Sequence, residues 1–160
     1  MTTFKEIRGT AIQSVSSDPT NPEVGQIWYN NTIGVLKGYD LTLAAWASGG
    51  NVATARYGSA GAGTQTAGLA FGGFSTANSN ATEEYNGSTW GPGGNMATAR
   101  REIGGAGTQT SGLGFGGFTT TAVANTEEYD GTSWTSGGTM GTARYSLGGA
   151  GIQTAGLAFG

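Results

Sequence analysis

The residues that most invite a chemical reading are two adjacent pairs of carboxylates, Glu83-Glu84 and Glu127-Glu128. Two carboxyl groups facing one substrate can act as acid and base in glycoside hydrolysis. Both pairs sit in short runs, Thr82 to Tyr85 and Thr126 to Tyr129, that read as strands. Neighbours on a strand point to opposite faces, so the two members of a pair cannot share a substrate. The expectation is therefore structural: one glutamate of each pair faces solvent, and the other meets a repeated arginine (Arg56, Arg100 or Arg144) between repeats. An ion pair of that kind, once buried, costs about 3–5 kcal/mol when one partner is removed.

What the chain lacks narrows the chemistry further. The 160 residues include no cysteine and no histidine. A disulfide, a zinc finger, a thiol nucleophile, a Ser-His-Asp triad and an imidazole copper site all need one or the other. No catalytic residue, metal or cofactor is expected, and the chain does not read as an enzyme. The net charge of −3 gives no basic footprint for nucleic acid. Met1 to Gly9 carries charges and no apolar run, so neither a secretory leader nor membrane insertion is expected. Glycine is abundant, at 32 residues, yet aromatics make up 10% of the chain and stand at fixed positions, which is unlike a disordered sequence.

Those positions are fixed by a repeat. Arg56, Arg100 and Arg144 recur every 44 residues, as do Trp46, Trp90 and Trp134. A period of that size signals stacked or radial supersecondary units. Within each unit a small-residue strand (Gly61 to Thr64, Gly105 to Thr108) turns through Thr-Gln-Thr into a second strand (Gly68 to Gly73, Gly112 to Gly117). A polar loop leads to the Glu-Glu-Tyr strand. Asn86-Gly87 or Asp130-Gly131 supplies the positive φ of a tight hairpin, and Trp90 or Trp134 opens a fourth strand ending at Gly-Gly and Met96 or Met140. Before the repeats, Met1 to Ser16 reads as a strand, the two prolines within Ser17 to Gly25 mark a loop, and Gln26 to Tyr29 with Val35 to Tyr39 forms a hairpin. Trp28, Tyr29 and Tyr39 could stack on sugars, but each stands where a sheet needs a core residue.

Four short antiparallel strands per 44 residues is the unit of a β-propeller blade. The double glycines (Gly72-Gly73, Gly116-Gly117), the dipeptides Glu84-Tyr85 and Glu128-Tyr129, the tryptophan five residues on and the arginine before the next unit resemble the kelch motif from about Gly25 to Gly160. That resemblance implies an all-β fold of kelch-type propeller blades, about three and a half in number, with the ring incomplete in this chain. The implied divisions are an N-terminal arm (1–24), a degenerate first blade (25–53), complete blades (54–97 and 98–141) and the first half of a fourth (142–160). A fragment of a longer polypeptide, a ring completed by another subunit, and repeats stacked without closure each account for the half blade. Asn86 to Trp90 and Asp130 to Trp134 come near the Asp-box of sialidases, but Tyr85 and Tyr129 occupy the place of its aspartate.

The loop between the second and third strands is where the complete copies diverge, Ser75 to Ala81 (STANSNA) against Thr119 to Asn125 (TTTAVAN). Divergent loops on a repeated scaffold are where recognition resides. The candidate ligand-binding residues are Phe74 and Phe118, at the mouth of the loop, with Ser75, Asn78, Asn80, Thr119, Thr121 and Asn125, whose hydroxyls and amides suit a neutral polar ligand such as a glycan. Asp18 to Tyr39 (DPTNPEVGQIWYNNTIGVLKGY) also looks like short modules near the start of bacteriophage tail-fibre and other virion proteins. That likeness implies a virion-surface structural or attachment protein, partnered by other virion proteins, by copies of itself or by a host-surface glycan. A cellular or secreted kelch module for protein–protein interaction is the alternative.

Overall fold

The computed structural model describes residues 12–22, 26–38 and 49–160. The start of the expected first strand and the repeat positions Tyr39 and Trp46 lie outside them. Every regular element among the described residues is a β-strand, and none is a helix that could cross a membrane. The chain divides into two compact units, 1–47 and 48–160.

In the first unit β1 (Gln13–Val15), β2 (Ile27–Asn30) and β3 (Val35–Gly38) form one sheet in that order. β2 and β3 make the antiparallel hairpin expected from the sequence. β1, however, runs parallel to β2, a departure from the antiparallel inner strand that a degenerate first blade requires. The link between β1 and β2 is organised by Asp18. Its Oδ1 accepts from Trp28 Nε1 (3.0 Å) and Asn30 Nδ2 (2.8 Å), and its Oδ2 pairs with Lys37 Nζ (2.5 Å). Trp28 is buried and Tyr29 is exposed. The indole N–H needs a partner once the ring is covered, so the Asp-Pro turn is as much an anchor as a loop.

The second unit holds β4 (Ala60–Gly63), β5 (Gly68–Phe71), β6 (Thr82–Tyr85), β7 (Trp90–Pro92), β8 (Gly104–Thr108), β9 (Ser111–Phe115), β10 (Asn125–Tyr129), β11 (Trp134–Thr139), β12 (Gly148–Ile152) and β13 (Ala155–Phe159). β4–β7 and β8–β11 are four-stranded antiparallel sheets with strands in chain order, and β12–β13 is a hairpin. The glycines explain how the sheets approach. A Cβ on Gly105 would lie 2.7 Å from the Gly61 carbonyl oxygen, and one on Gly149 would strike the Gly105 carbonyl. β4, β8 and β12 therefore lie backbone against backbone, closer than any side chain permits.

The double glycines have a separate task. Gly73 N donates to the Arg100 carbonyl (2.9 Å) and Gly117 N to that of Arg144 (2.8 Å). Each pair has positive φ, +66° and +105° at Gly72 and Gly73, so only glycine sits there without strain. Ala60, Leu69, Phe71, Met96, Ile103, Tyr129 and Trp134 fill the space between the two complete sheets, with the Phe71 and Trp134 rings 4.7 Å apart. Polar cross-links repeat with the period. Gln109 Nε2 donates to Gly68 O (3.1 Å) and Tyr85 O (2.7 Å), and Gln153 Nε2 to Gly112 O (3.0 Å) and Tyr129 O (2.8 Å).

The turns after Tyr85 and Tyr129 differ in kind from the two-residue hairpin expected. Asn86 Oδ1 accepts from Ser88 N and Thr89 N, and Asp130 Oδ1 from Thr132 N and Ser133 N. The side chain closes a wider loop as a backbone carbonyl would, and only the glycine has positive φ. These bonds hold the Asp130 carboxyl below its ordinary pKa.

Candidate functional site

The repeated arginines and glutamates occupy the interior. Arg56 Nη2 lies 2.9 Å from Glu83 Oε1 and Arg100 Nη2 lies 3.0 Å from Glu127 Oε1, all four side chains being nearly inaccessible. Arg100 Nη1 also donates to Gly116 O (3.1 Å) and Asn125 O (2.9 Å), while Glu127 Oε2 accepts from Ala97 N (2.7 Å). The first glutamate of each pair thus holds the arginine. Of the second members, Glu128 is exposed and Glu84 accepts from the hydroxyl of Tyr129 on the neighbouring sheet (2.5 Å). The ion pair itself lies within one repeat, not between two as expected; the arginine's own tie to the preceding sheet is its backbone carbonyl on the double glycine. Burial lowers the Arg100 pKa and Glu127 opposes that shift. Both oxygens of Glu83 and of Glu127 are held by protein groups, Oε2 accepting from Ala53 N and Ala97 N respectively, and a carboxylate so held is poorly placed to act on a substrate. Arg56 Nε and Arg100 Nε have no hydrogen-bond partner among the described residues.

A different constellation forms on the loop side. Phe74 and Phe118, just beyond the double glycines, bridge to Tyr57 and Arg101 respectively. Arg101 follows the buried Arg100, and its guanidinium lies between two rings, 5.0 Å from Phe74 and 4.7 Å from Phe118. Tyr57 meets Phe74 at a tilt of 44° with ring centroids 5.4 Å apart, and Tyr145 meets Phe118 edge-on at 5.4 Å. The result is a continuous row, Tyr57–Phe74–Arg101–Phe118–Tyr145. Its two ends are open to solvent, with Tyr57 62% and Tyr145 50% exposed.

Asn78 fixes the middle of the row. Its Oδ1 accepts from Arg101 Nη1 (2.9 Å) and its Nδ2 donates to Thr119 O (2.8 Å), tying the divergent loop of one repeat to that of the next. The residues following Tyr57, Arg101 and Tyr145 all have positive φ: Gly58 (+62°), Glu102 (+53°) and Ser146 (+57°). Glu102 N donates to Gly58 O and Ser146 N to Glu102 O, so a chain of backbone bonds holds this left-handed position in register from repeat to repeat.

Of the eight loop residues singled out from the sequence, the structure gathers Phe74, Asn78, Phe118 and Thr119 around Arg101. Ser75 and Thr121 lie on the exposed loops beside them. Asn80 is turned away, its Nδ2 donating to Met96 O (3.0 Å), and Asn125 opens β10. Arg101, Tyr57 and Tyr145 escaped the sequence reading. The available signal was that residues 57, 101 and 145 share one place in the 44-residue period and read Tyr, Arg, Tyr. A depression of about 570 Å³ in the first unit is lined by Gln13 to Thr20 and Gln26. Its one charged group, Asp18, is already held by three donors.

No family model matches the sequence, and no curated protein matches it either.

Proposed function

We propose that this chain is a structural or attachment protein of the virion surface, of the tail-fibre kind. In this reading the second unit is a kelch-type propeller-like scaffold whose loop side meets a host-surface glycan. One observation carries the binding part: the solvent-reaching row Tyr57–Phe74–Arg101–Phe118–Tyr145, edged by hydroxyls and amides of the divergent loops. Aromatic faces and a planar guanidinium suit the apolar faces of sugar rings, while Thr119, Thr121 and Ser75 can both donate to and accept from hydroxyls. Arg101 Nη1 is committed to Asn78, and Nη2 makes no hydrogen bond among the described residues, so a donor remains for a ligand oxygen.

The backbone-on-backbone stacking of β4, β8 and β12 supports the propeller-like part. The Asp18-centred hairpin supports a self-contained module at the start of the chain. Oligosaccharide-array binding tests the glycan role. Retention on a defined sugar class, lost in Arg101→Ala and Phe118→Ala at unchanged melting temperature, is expected, and retention indifferent to both variants contradicts it. Mass spectrometry of purified particles tests the virion assignment, with peptides of this chain expected in the particle fraction and their absence contradicting it.

A further inference from the structure

The hydroxyls and amides that the sequence marks on the loop side suit a neutral ligand. Arg101 adds a cation among them, and its contacts leave one edge of the guanidinium open. Nη1 donates to Asn78 Oδ1 (2.9 Å), and the Phe74 and Phe118 rings flank the group at 5.0 and 4.7 Å. Nε and Nη2, whose N–H groups point the same way along the other edge of the plane, make no hydrogen bond among the described residues. The carboxylate of Glu102 comes near, with Oε1 3.6 Å from Nε, but that is too far for a hydrogen bond. Its Oε2 accepts instead from Ser146 Oγ (2.6 Å). The Arg101 side chain is 25% exposed, so solvent reaches it.

Two parallel N–H donors on a guanidinium edge match the two oxygens of a carboxylate in plane, spacing and charge. Asn78 and Thr119 O hold the arginine in place before any ligand arrives, so little is spent on ordering it. Glu102 limits the charge the site accepts. A single negative charge is drawn to Arg101, while a more highly charged group is repelled by the neighbouring carboxylate.

We propose that the sugar received on this row carries a carboxylate, as a hexuronate does, and that the Nε–Nη2 edge of Arg101 takes that carboxylate in a two-point bond. This rests on the glycan reading above and narrows it to acidic sugars. The rings of Phe74 and Phe118 and the loop hydroxyls serve the rest of the saccharide, so neutral sugars bind the same row more weakly.

The test is calorimetric titration of the 160-residue chain with a hexuronate tetrasaccharide, its methyl ester, a neutral hexose tetrasaccharide and a sulfated one. The acid is expected to bind at least tenfold more tightly than the ester, a comparison that needs no variant. Arg101→Lys keeps the charge but has no fork, and should lose most of that preference. Glu102→Gln removes the competing carboxylate and should raise the acid-over-ester ratio at least threefold. Acid and ester bound alike, with both lost in Arg101→Ala, overturns this inference and leaves the glycan reading standing. No saturable binding of any of the four sugars overturns both. A preference for the acid that neither Arg101→Lys nor Glu102→Gln changes also overturns the inference, as does tighter binding of the sulfated sugar than of the uronate.

Discussion

Arg100 is fully buried, and its chief charge partner is Glu127. Replacing it with alanine leaves that carboxylate without a counterion, at a cost of about 3–5 kcal/mol. The prediction is a correspondingly lower urea midpoint for Arg100→Ala, whereas Arg101→Ala, one residue on, alters sugar binding and leaves the midpoint nearly unchanged. An unchanged midpoint for Arg100→Ala contradicts the role given to the pair. Tyr129 supplies a pH test. Burial first, and the Glu84 carboxylate second, push its pKa from 10.0 up to about 12. The fold favours the neutral phenol, so its stabilisation is complete below pH 10 and is lost as pH rises towards 12. Tyr129→Phe should be less stable at neutral pH and should flatten that alkaline decline in urea titrations. At this scale the sequence was only half legible. Strand alternation required the two glutamates of each pair to part, but not which of them would hold the arginine. That choice follows from which strand face lies inward, a tertiary fact that adjacent identical residues conceal.

At the scale of elements, the inner strands depend on glycines that admit a neighbouring backbone. Gly105→Ala places a methyl carbon 2.7 Å from the Gly61 carbonyl and should cost about 1–3 kcal/mol in urea unfolding. Gly138 in β11 has nothing within 4 Å, so Gly138→Ala should change stability by less than about 0.5 kcal/mol. Equal effects would mean that close approach is not what the inner glycines provide. The Asp18 hairpin makes a further prediction. Its carboxyl is held down to about 2, first by Lys37 and then by Asn30 and Trp28. Its contribution is present above the unfolded pKa near 3.8 and is lost as pH falls towards 2. The Trp28 indole N–H resonance should therefore titrate with a midpoint near pH 2, and a midpoint near 4 would contradict the hydrogen bonds seen. Strand positions such as Thr82–Tyr85 were legible because the turn residues flanking them are local signals. The parallel pairing of β1 with β2 was not, since three residues carry no mark of which strand they will join.

For the molecule as a whole, the 44-residue period makes the all-β, sheet-by-sheet architecture of the second unit legible in the sequence. The loop side was readable in part: divergence marked Asn78 and Thr119, and their place just past the double glycines marked Phe74 and Phe118, while Arg101, the residue that joins them, was not singled out. The division of labour that results is simple. Repeated, buried groups hold sheets together, and Arg101, the one cation of the second unit outside the arginine repeat, stands on the open side. Isotope-labelled NMR titration of the chain with a panel of hexose and N-acetylhexosamine oligosaccharides tests this most directly. Shifts are predicted at Tyr57, Phe74, Arg101, Phe118 and Thr119, abolished by Arg101→Ala. Shifts confined to residues elsewhere in the chain, or undiminished in that variant, would contradict it.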